Sequence, residues 1–455
     1  MTAAGDTIVA LATPRGQSAL AVVRVSGPDA IAVVDGVFSG ASLADASSHS
    51  AHVGSIRMPN KDVLDQVIVT LFRNPRSATG EDVVEVSCHG GDVASALVVD
   101  CLVGCGARPA SPGEFTQRAF LNGKVDLAQA EAIGDLIHAR AVRAHRVSVA
   151  HLYGRYSELI DAFRNELLDL VAFLELELDF SEEDVEFADR ERLQRAFREG
   201  EALLDDLLAS YRYGRTLSDG IRVAIAGRPN AGKSTLLNAV LGSDRAIVSE
   251  VAGTTRDSIE AESSYDGHRL IWVDTAGLRG TSDSIEAEGV ERAKRIAAEA
   301  DVVVYVVDAR DGLQAEEIAF VGSLESLPVI ILHNKMDLVK TSPVFSEGHL
   351  PFSALDARLA RRPPDMLLEA VIEAAIGSGA ASDEHRTVTS ARHVAHLGTA
   401  RTALERAAAA FRTGASGDML VSDLKEAMDH LGMITGAMTN EDVLDRIFSR
   451  FCIGK

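Results

Sequence analysis

The sequence predicts a multidomain chain of α/β and all-α parts: an N-terminal α+β region, helical segments, and a doubly wound, mainly parallel sheet placed between those helices. Three observations carry this reading. The stretch Ile221–Leu236, IRVAIAGRPNAGKSTL, runs from a β-branched segment into a glycine loop and a helix start. Strand and helix patterns alternate from 221 to about 377, the signature of a parallel sheet covered on both faces. Helical periodicity fills the chain before that stretch, from Pro112 onward, and returns after it.

Length and composition set the frame. A chain of 455 residues is long enough for roughly three domains with proper cores. Acidic residues outnumber basic ones 67 to 45, a formal charge of −22, which argues against a broadly basic nucleic-acid surface. Cys88, Cys101, Cys105 and Cys452 are too scattered for a disulfide framework or a zinc site, so reduced thiols are expected. The start, MTAAGDTIVALATPRG, has no basic segment leading into an apolar run, so no signal peptide is expected. No stretch approaches about 18 apolar residues, and no membrane association is expected. A cytoplasmic location is the expectation.

Along the chain, residues 1–120 mix short apolar runs with turn signals. Ala19–Val25 stops at Ser26-Gly27-Pro28, Val67–Phe72 near Asn74-Pro75, and Asp82–Ser87 at His89-Gly90-Gly91, while Val93–Val103 has helical spacing. Arg24 and Glu81 each sit beside an apolar run, where a solvated strand end and a binding role both remain open. Residues 121–216 read as helical segments, one ending at the acidic run Ser181-Glu182-Glu183-Asp184 and another running from about Asp189 to Tyr211. Arg140, Arg143 and Arg146 recur every third position, with His145 and His151 nearby; the stripe reads either as a solvated helix face or as a phosphate-facing one. Strands are expected at Leu270–Val273, Val302–Val307 and Val329–Leu332 within 217–377, and Gly377–Ser382 reads as a linker. Helices follow at Ser390–Phe411, Ser422–Leu431 and Asn440–Phe448, in the segment 378–455. Helices on both sides of 217–377 suggest one helical domain into which the nucleotide domain is inserted.

Gly227-x-x-x-x-Gly232-Lys233-Ser234 between a strand and a helix is a phosphate-binding loop. Its N–H groups turn inward onto phosphate oxygens, and the helix N-terminus adds positive potential. Lys233 is expected on the β/γ-phosphates and Ser234 on Mg²⁺. Downstream, Gly253-Thr254-Thr255 lies in a polar loop where Thr255 can join the Mg²⁺ shell, and Asp274-Thr275-Ala276-Gly277 follows a strand, with Gly277 N–H facing the γ-phosphate. Asn334-Lys335-Met336-Asp337 places a carboxylate, Asp337, where it can accept from guanine N1 and N2, which selects GTP over ATP. Ser353-Ala354-Leu355 fits a loop offering backbone N–H to guanine O6. The nucleotide set is Asn230, Ala231, Gly232, Lys233, Ser234, Thr235; Ser249, Glu250, Val251, Ala252, Gly253, Thr254, Thr255; and the two later motifs with Ser353-Ala354-Leu355. Leu278 stands where many such switches carry the glutamine that orients the attacking water. Glu286 is the nearest replacement, and a monovalent cation held by Asn230 would supply transition-state charge. Catalysis is therefore assigned to Glu286, Lys233 and Asn230.

These residues, together with DTIVALATP, GEDVVEVSCHGG, PGEFTQRAFLNGKVDLAQAEAI and the terminal FCIGK, resemble the MnmE (TrmE) family of tRNA modification GTPases over essentially the whole chain. The resemblance implies a Ras-like G domain at 217–377, an N-terminal folate-binding and dimerising domain at 1–120, and a helical domain split between 121–216 and 378–455. It implies a homodimer and a FAD-dependent MnmG (GidA) partner in a heterotetramer or larger complex. Substrates and cofactors would be tRNA, GTP, Mg²⁺, K⁺ and a tetrahydrofolate derivative in 5-formyl or 5,10-methylene form. The product would be a wobble uridine (position 34) bearing an aminomethyl- or carboxymethylaminomethyl-type group at C5. By motif, Arg24, Glu81, Lys124 and Lys455 would line the folate pocket, and Asn230, Ser249, Val251 and Thr254 would surround K⁺. Ser234 and Thr255 would hold Mg²⁺, and Glu286 would act through water. Gly16-Gln17-Ser18-Ala19 departs from the family's glycine-rich run, and Ala78 stands where an aromatic residue is common. Cys452 is expected as a partly buried thiol near the folate site. The alternative function is an Era-like ribosome-assembly GTPase without modification activity; a third, a folate enzyme with a decorative switch, sits poorly with an intact set of nucleotide ligands.

Overall fold

The computed structural model describes residues 5–58, 60–179, 190–242, 259–274, 299–324, 327–339, 348–360, 364–377 and 383–455, with only the backbone described at 179, 259 and 274. Two compact units emerge: 1–134 with 151–169 and 428–455, and 135–150 with 170–427.

The first unit opens with β1 (Ile8–Leu11), β2 (Leu20–Ser26), α1 (Ala30–Asp35), β3 (Phe38–Ser39), β4 (Ser50–Arg57), β5 (Val63–Phe72), β6 (Val83–His89), α2 (Asp92–Gly104), β7 (Arg108–Pro109) and α3 (Glu114–Leu121). The strands form one seven-stranded sheet in the order β3-β4-β5-β6-β2-β1-β7. Its inner residues alternate as a one-sided antiparallel sheet requires: Val23, Val25, Val67, Val69, Leu71, Val84 and Val86 share a core with Val34 of α1 and Val98 and Leu102 of α2. The α+β expectation is met. Three strands carried no clear sequence signal, because SAHVGSIR in β4 is poor in β-branched residues and β3 and β7 are two residues each.

The helical segments follow as α4 (Leu127–His138), α5 (Val142–Leu152), α6 (Arg155–Asp179) and α7 (Arg190–Asp219). The first unit takes α4's Leu127 and Ala130, which pack with Phe120, Leu444 and Phe448 near the C-terminus.

In the second unit, β8 (Ile221–Ala226) leads to α8 (Lys233–Leu241), then β9 (Ile259–Tyr265), β10 (His268–Asp274), β11 (Val302–Asp308), α9 (Ala315–Gly322), β12 (Val329–Asn334), β13 (His349–Pro351), α10 (Ala354–Ala360) and α11 (Asp365–Ile376). The sheet order is β13-β12-β11-β8-β10-β9, parallel throughout except for β9, which pairs antiparallel with β10. Central strands are covered on both sides. Val223 and Ile225 join Val302, Val304 and Val306 in one core, while Ala224 and Ala226 join Val303, Tyr305 and Val307 in the other. This period-two split between two cores is the doubly wound sheet expected from the alternating pattern. The chain ends in α12 (Ala391–Thr413), α13 (Gly417–Thr435) and α14 (Glu441–Phe448), the last capped by Asn440, whose side chain accepts from Val443 N–H. No helix among the described residues is long and apolar enough to cross a membrane.

Candidate functional site

The phosphate loop leaves β8 at Gly227 and enters α8 at Gly232. Both glycines are required. Their φ values are +137° and +104°, and an added Cβ would lie 2.2 Å from the Val306 carbonyl oxygen at Gly227 and 2.2 Å from Asn334 Nδ2 at Gly232. Between them, Asn230 adopts φ 63°, a left-handed conformation uncommon for a residue with a side chain. Lys233 is buried, and its Nζ donates to the Gly227 and Arg228 carbonyls at 2.7 and 2.8 Å. Ser234, in the first turn of α8, is exposed, as is Asn230.

The base-reading segments meet this loop through Asn334. Its side chain, 2% exposed, donates to the Ala231 carbonyl at 2.9 Å and accepts from Ala354 N–H at 2.8 Å. One amide thus ties the phosphate loop to the Ser353-Ala354-Leu355 segment. It also takes up the Ala354 N–H, one of the donors expected for guanine O6. Lys335 (φ 67°) places its Nζ 2.6 Å from the Asn230 carbonyl and 2.7 Å from Asp308 Oδ2. Asp337 accepts from Ser353 Oγ at 2.8 Å, which fixes its carboxylate beside the segment it is expected to work with. Asp274 ends β10 with its backbone opposite Ile225 of β8. Ser249–Thr255, Thr275–Gly277, Leu278 and Glu286 lie outside the described residues.

Two residues here escaped sequence reasoning. Asp308, the last residue of β11, accepts from Arg310 Nε at 2.9 Å and from Arg310 Nη2 at 2.6 Å. The Arg310 hydrogen bonds, with Lys335, hold its carboxyl far below the usual carboxylate range despite burial. The available signal was position: the carboxyl ends of strands in an open α/β sheet are where ligands bind.

In the first unit the residues assigned to folate gather around α3, but with other partners than each other. Arg24 pairs with Glu85, Nε to Oε1 at 2.9 Å, and lies 5.7 Å from the Phe115 ring centroid. Glu81 accepts from Ser26 Oγ at 2.7 Å and from Arg118 Nη1 at 3.2 Å. Arg118, missed in the sequence, also binds the Asp6 carboxylate at 2.5 Å and Glu114 at 3.0 Å, and Glu114 binds Arg108 at 2.6 Å. Burial pushes the Glu114 carboxyl up, yet hydrogen bonds from Arg108, Ser111 N–H and Arg118 outweigh it and leave it below its ordinary value. Lys124 Nζ rests on the Pro75 carbonyl at 3.0 Å. The C-terminal turn docks beside them: Gly113 N–H donates to the Cys452 carbonyl at 3.4 Å, and Gly454 lies against Leu11, next to Lys455. Cys452 is exposed, not partly buried, because the turn directs its carbonyl to the helix start.

The arginine stripe at the start of α5, with Arg140 just before the helix, has a third role. Arg140 meets Glu262 at 3.3 Å, and Arg143 binds Asp266 at 2.6 Å while its backbone N–H donates to Gly267, so both grip the β9–β10 hairpin.

A family model described as MnmE helical domain matches residues 127–452, and one described as GTP-binding protein TrmE N-terminus matches 7–124. The chain is 53% identical to the tRNA modification GTPase MnmE of Salinibacter ruber, covering 99% of each chain. It is 41% identical to that of Cytophaga hutchinsonii, over 99% of this chain and 98% of that one, and 44% identical to that of Moorella thermoacetica, over 99% of each. Among solved structures, a point variant of Aquifex aeolicus Era bound to GDP and AlF4⁻ is similar at 29% identity over 40% of this chain and 66% of that one, with a TM-score of 0.27, too slight a likeness to bear on mechanism. Fold and site together define a P-loop GTPase with guanine-reading loops. The chain belongs to the MnmE family, whose members named above are called tRNA modification GTPases.

Proposed function

We propose that this protein hydrolyses GTP, with K⁺ stimulation, to drive modification of C5 of the wobble uridine (position 34) in tRNA. It works with a FAD-dependent MnmG (GidA) partner and a tetrahydrofolate one-carbon donor, and adds an aminomethyl- or carboxymethylaminomethyl-type group. The observation that carries the GTP part is Asn334, which joins the phosphate loop to the segment facing Asp337. Kinship over 99% of the chain with proteins named tRNA modification GTPases supports the tRNA part.

Roles follow from chemistry. Lys233 exchanges two neutral carbonyls for phosphate oxygens when GTP binds. Exposed Ser234, with Thr255, holds Mg²⁺; Asn230, Ser249, Val251 and Thr254 hold K⁺. Glu286 orients the attacking water in place of the glutamine absent at Leu278. The N-terminal residues suit a folate. Glu81 keeps lone pairs free beyond those given to Ser26 and Arg118, and Arg24 keeps Nη1 donors beyond those given to Glu85. Glu81 would meet the pterin edge, and Arg24, Lys124 and Lys455 the carboxylate tail; the folate would supply the one-carbon unit. Residues 1–120 would form the dimerising folate domain, 217–377 the G domain, and 121–216 with 378–455 the helical domain, in a cytoplasmic homodimer.

Nucleoside mass spectrometry of tRNA from a strain lacking the protein should show wobble uridines without the C5 group; unchanged nucleosides would overturn the assignment. For the cation, GTP hydrolysis should run several-fold faster in K⁺ than in Na⁺ at equal ionic strength. Equal rates would remove K⁺ from the mechanism.

A further inference from the structure

We infer that Asp308 is a positioning residue for GTP binding, holding the Lys335 ammonium so that Lys335 braces the phosphate loop at Asn230. The argument begins with what a phosphate loop must do. To point its N–H groups inward at phosphate oxygens, the loop must turn carbonyls outward, and an outward carbonyl near the protein interior needs a donor. Asn230 is exposed, so its carbonyl could turn to water instead; Lys335 Nζ, at 2.6 Å, holds it in one orientation. The interaction joins two residues in left-handed conformations, Asn230 at φ 63° and Lys335 at φ 67°, each of which needs its surroundings to hold it.

A lysine alone is a poor brace. Its four-carbon stem has many rotamers, and ordering it costs entropy. Here the ammonium is anchored from the opposite side by Asp308 Oδ2 at 2.7 Å. Asp308 is itself placed by β11, which pairs in register with β12 so that Asp308 stands opposite Asn334, and the Ala309 N–H donates to the Asn334 carbonyl at 2.8 Å. Arg310 then closes on the carboxylate through Nε at 2.9 Å and Nη2 at 2.6 Å, with its own backbone N–H at 3.1 Å. The result is a relay of alternating charge, Arg310 to Asp308 to Lys335, ending on a neutral carbonyl of the phosphate loop.

Asp337 makes none of the hydrogen bonds of this relay; its carboxylate is held by Ser353, and it acts on Arg310 only through a weaker charge interaction. Asp308 therefore shapes the loop that receives phosphates, not the edge that reads the base. Its loss weakens nucleotide binding first, slows the chemical step less because Asn230 is loosened and not removed, and leaves base preference in place.

The test uses the full chain carrying Asp308→Asn, Asp308→Glu or Arg310→Ala. Dissociation of a fluorescent N-methylanthraniloyl-GDP and steady-state hydrolysis of GTP and XTP are measured. Asp308→Asn should raise KM and the nucleotide dissociation constant about tenfold, the worth of one charge-assisted hydrogen bond, with a smaller fall in kcat. Asp308→Glu should recover part of that loss. Arg310→Ala, at an exposed side chain, should shift affinity about two- to threefold in the same direction. Native affinity in a folded Asp308→Asn protein would overturn the inference, as would a fall in kcat at unchanged KM or a shifted preference toward XTP. Should Asp308→Asn fail to fold, Arg310→Ala decides: unchanged affinity there refutes the relay.

Discussion

The phosphate-loop lysine at the nucleotide end of the parallel sheet and the arginine cluster of the N-terminal unit are held in opposite ways. Lys233 rests on two neutral backbone carbonyls, and Asn334 bridges backbone to backbone. Arg118, by contrast, is shared among the carboxylates of Asp6, Glu81 and Glu114, with 8% of its side chain exposed and none of Glu114's. Exchanging a carbonyl for a phosphate oxygen gives Lys233 a stronger partner, so the phosphate loop is ready to change contacts while Lys335 stays anchored on Asp308. Moving Arg118 would leave the fully buried Glu114 carboxylate to Arg108 and the Ser111 N–H alone, and a buried charge that loses one of its partners costs more than a buried neutral group does. One region is built to be rearranged by its ligand and the other to stay as it folds, presenting Glu81 in a fixed orientation.

The same kind of truncation in each region should sharpen that contrast. Arg118→Met keeps much of the volume but takes a shared buried cation from Asp6, Glu81 and Glu114, leaving Glu114 only Arg108 and the Ser111 N–H, and should cost the N-terminal unit about 3 kcal/mol. Asn334→Ala leaves the Ala231 carbonyl and Ala354 N–H unpaired, and should cost about 1–3 kcal/mol locally, with weaker GTP binding. Hydrogen-exchange mass spectrometry reads both, peptide by peptide: β1, β6 and α3 should lose protection in the first variant, β8 and β12 in the second. A smaller loss for Arg118→Met than for Asn334→Ala would mean the arginine cluster is not the rigid region.

The nucleotide end was legible in the sequence because its parts are contiguous. The phosphate loop and the Asn334 motif each follow an apolar, β-branched strand, whereas Ser353 follows the short β13, His-Leu-Pro, and a parallel sheet delivers these strand ends to one edge. Hence Ala231, Lys233, Asn334, Lys335, Asp337 and Ser353 could be assigned together from spacing alone. The arginine cluster was not legible, since Arg118 reaches Asp6 across 112 residues and Glu81 across 37, separations that no local pattern encodes. Asp308 was hidden differently: it reads as the polar end of an apolar strand until the register with β12 brings it beside Lys335. Strand β9, IEAESSY, was missed because an edge strand half open to water needs few apolar residues. The α5 arginines showed a period but not a partner, and their acidic partners lie in the β9–β10 hairpin, more than a hundred residues later.

Acid should separate the two regions by a smaller margin, and in a definite order. In the N-terminal unit, Glu114 and Asp6 sit below their ordinary values of 4.5 and 3.8. A depressed carboxyl contributes stability that is complete above its unfolded value and fades as pH falls below it, so this unit holds until about pH 4.5. In the second unit, His268 is pushed from 6.5 down to about 4 by burial first, and then by the neighbouring Arg143, against the pull of Asp266. Its ring lies edge-on to Tyr213 at 6.1 Å. The unfolded chain takes up that proton as pH drops below 6.5 while the folded chain does not, so stability is lost between pH 6.5 and 4. His333, lowered by burial and by His349, acts in the same direction. Trp272, the chain's one tryptophan, is buried in β10 and reports on this unit. Its urea midpoint should fall between pH 6.5 and 4.5, while exchange protection of the N-terminal unit stays level. His268→Phe should flatten the Trp272 slope without abolishing it; a wild-type midpoint that is constant over that range would show that the buried imidazoles do not set the acid response.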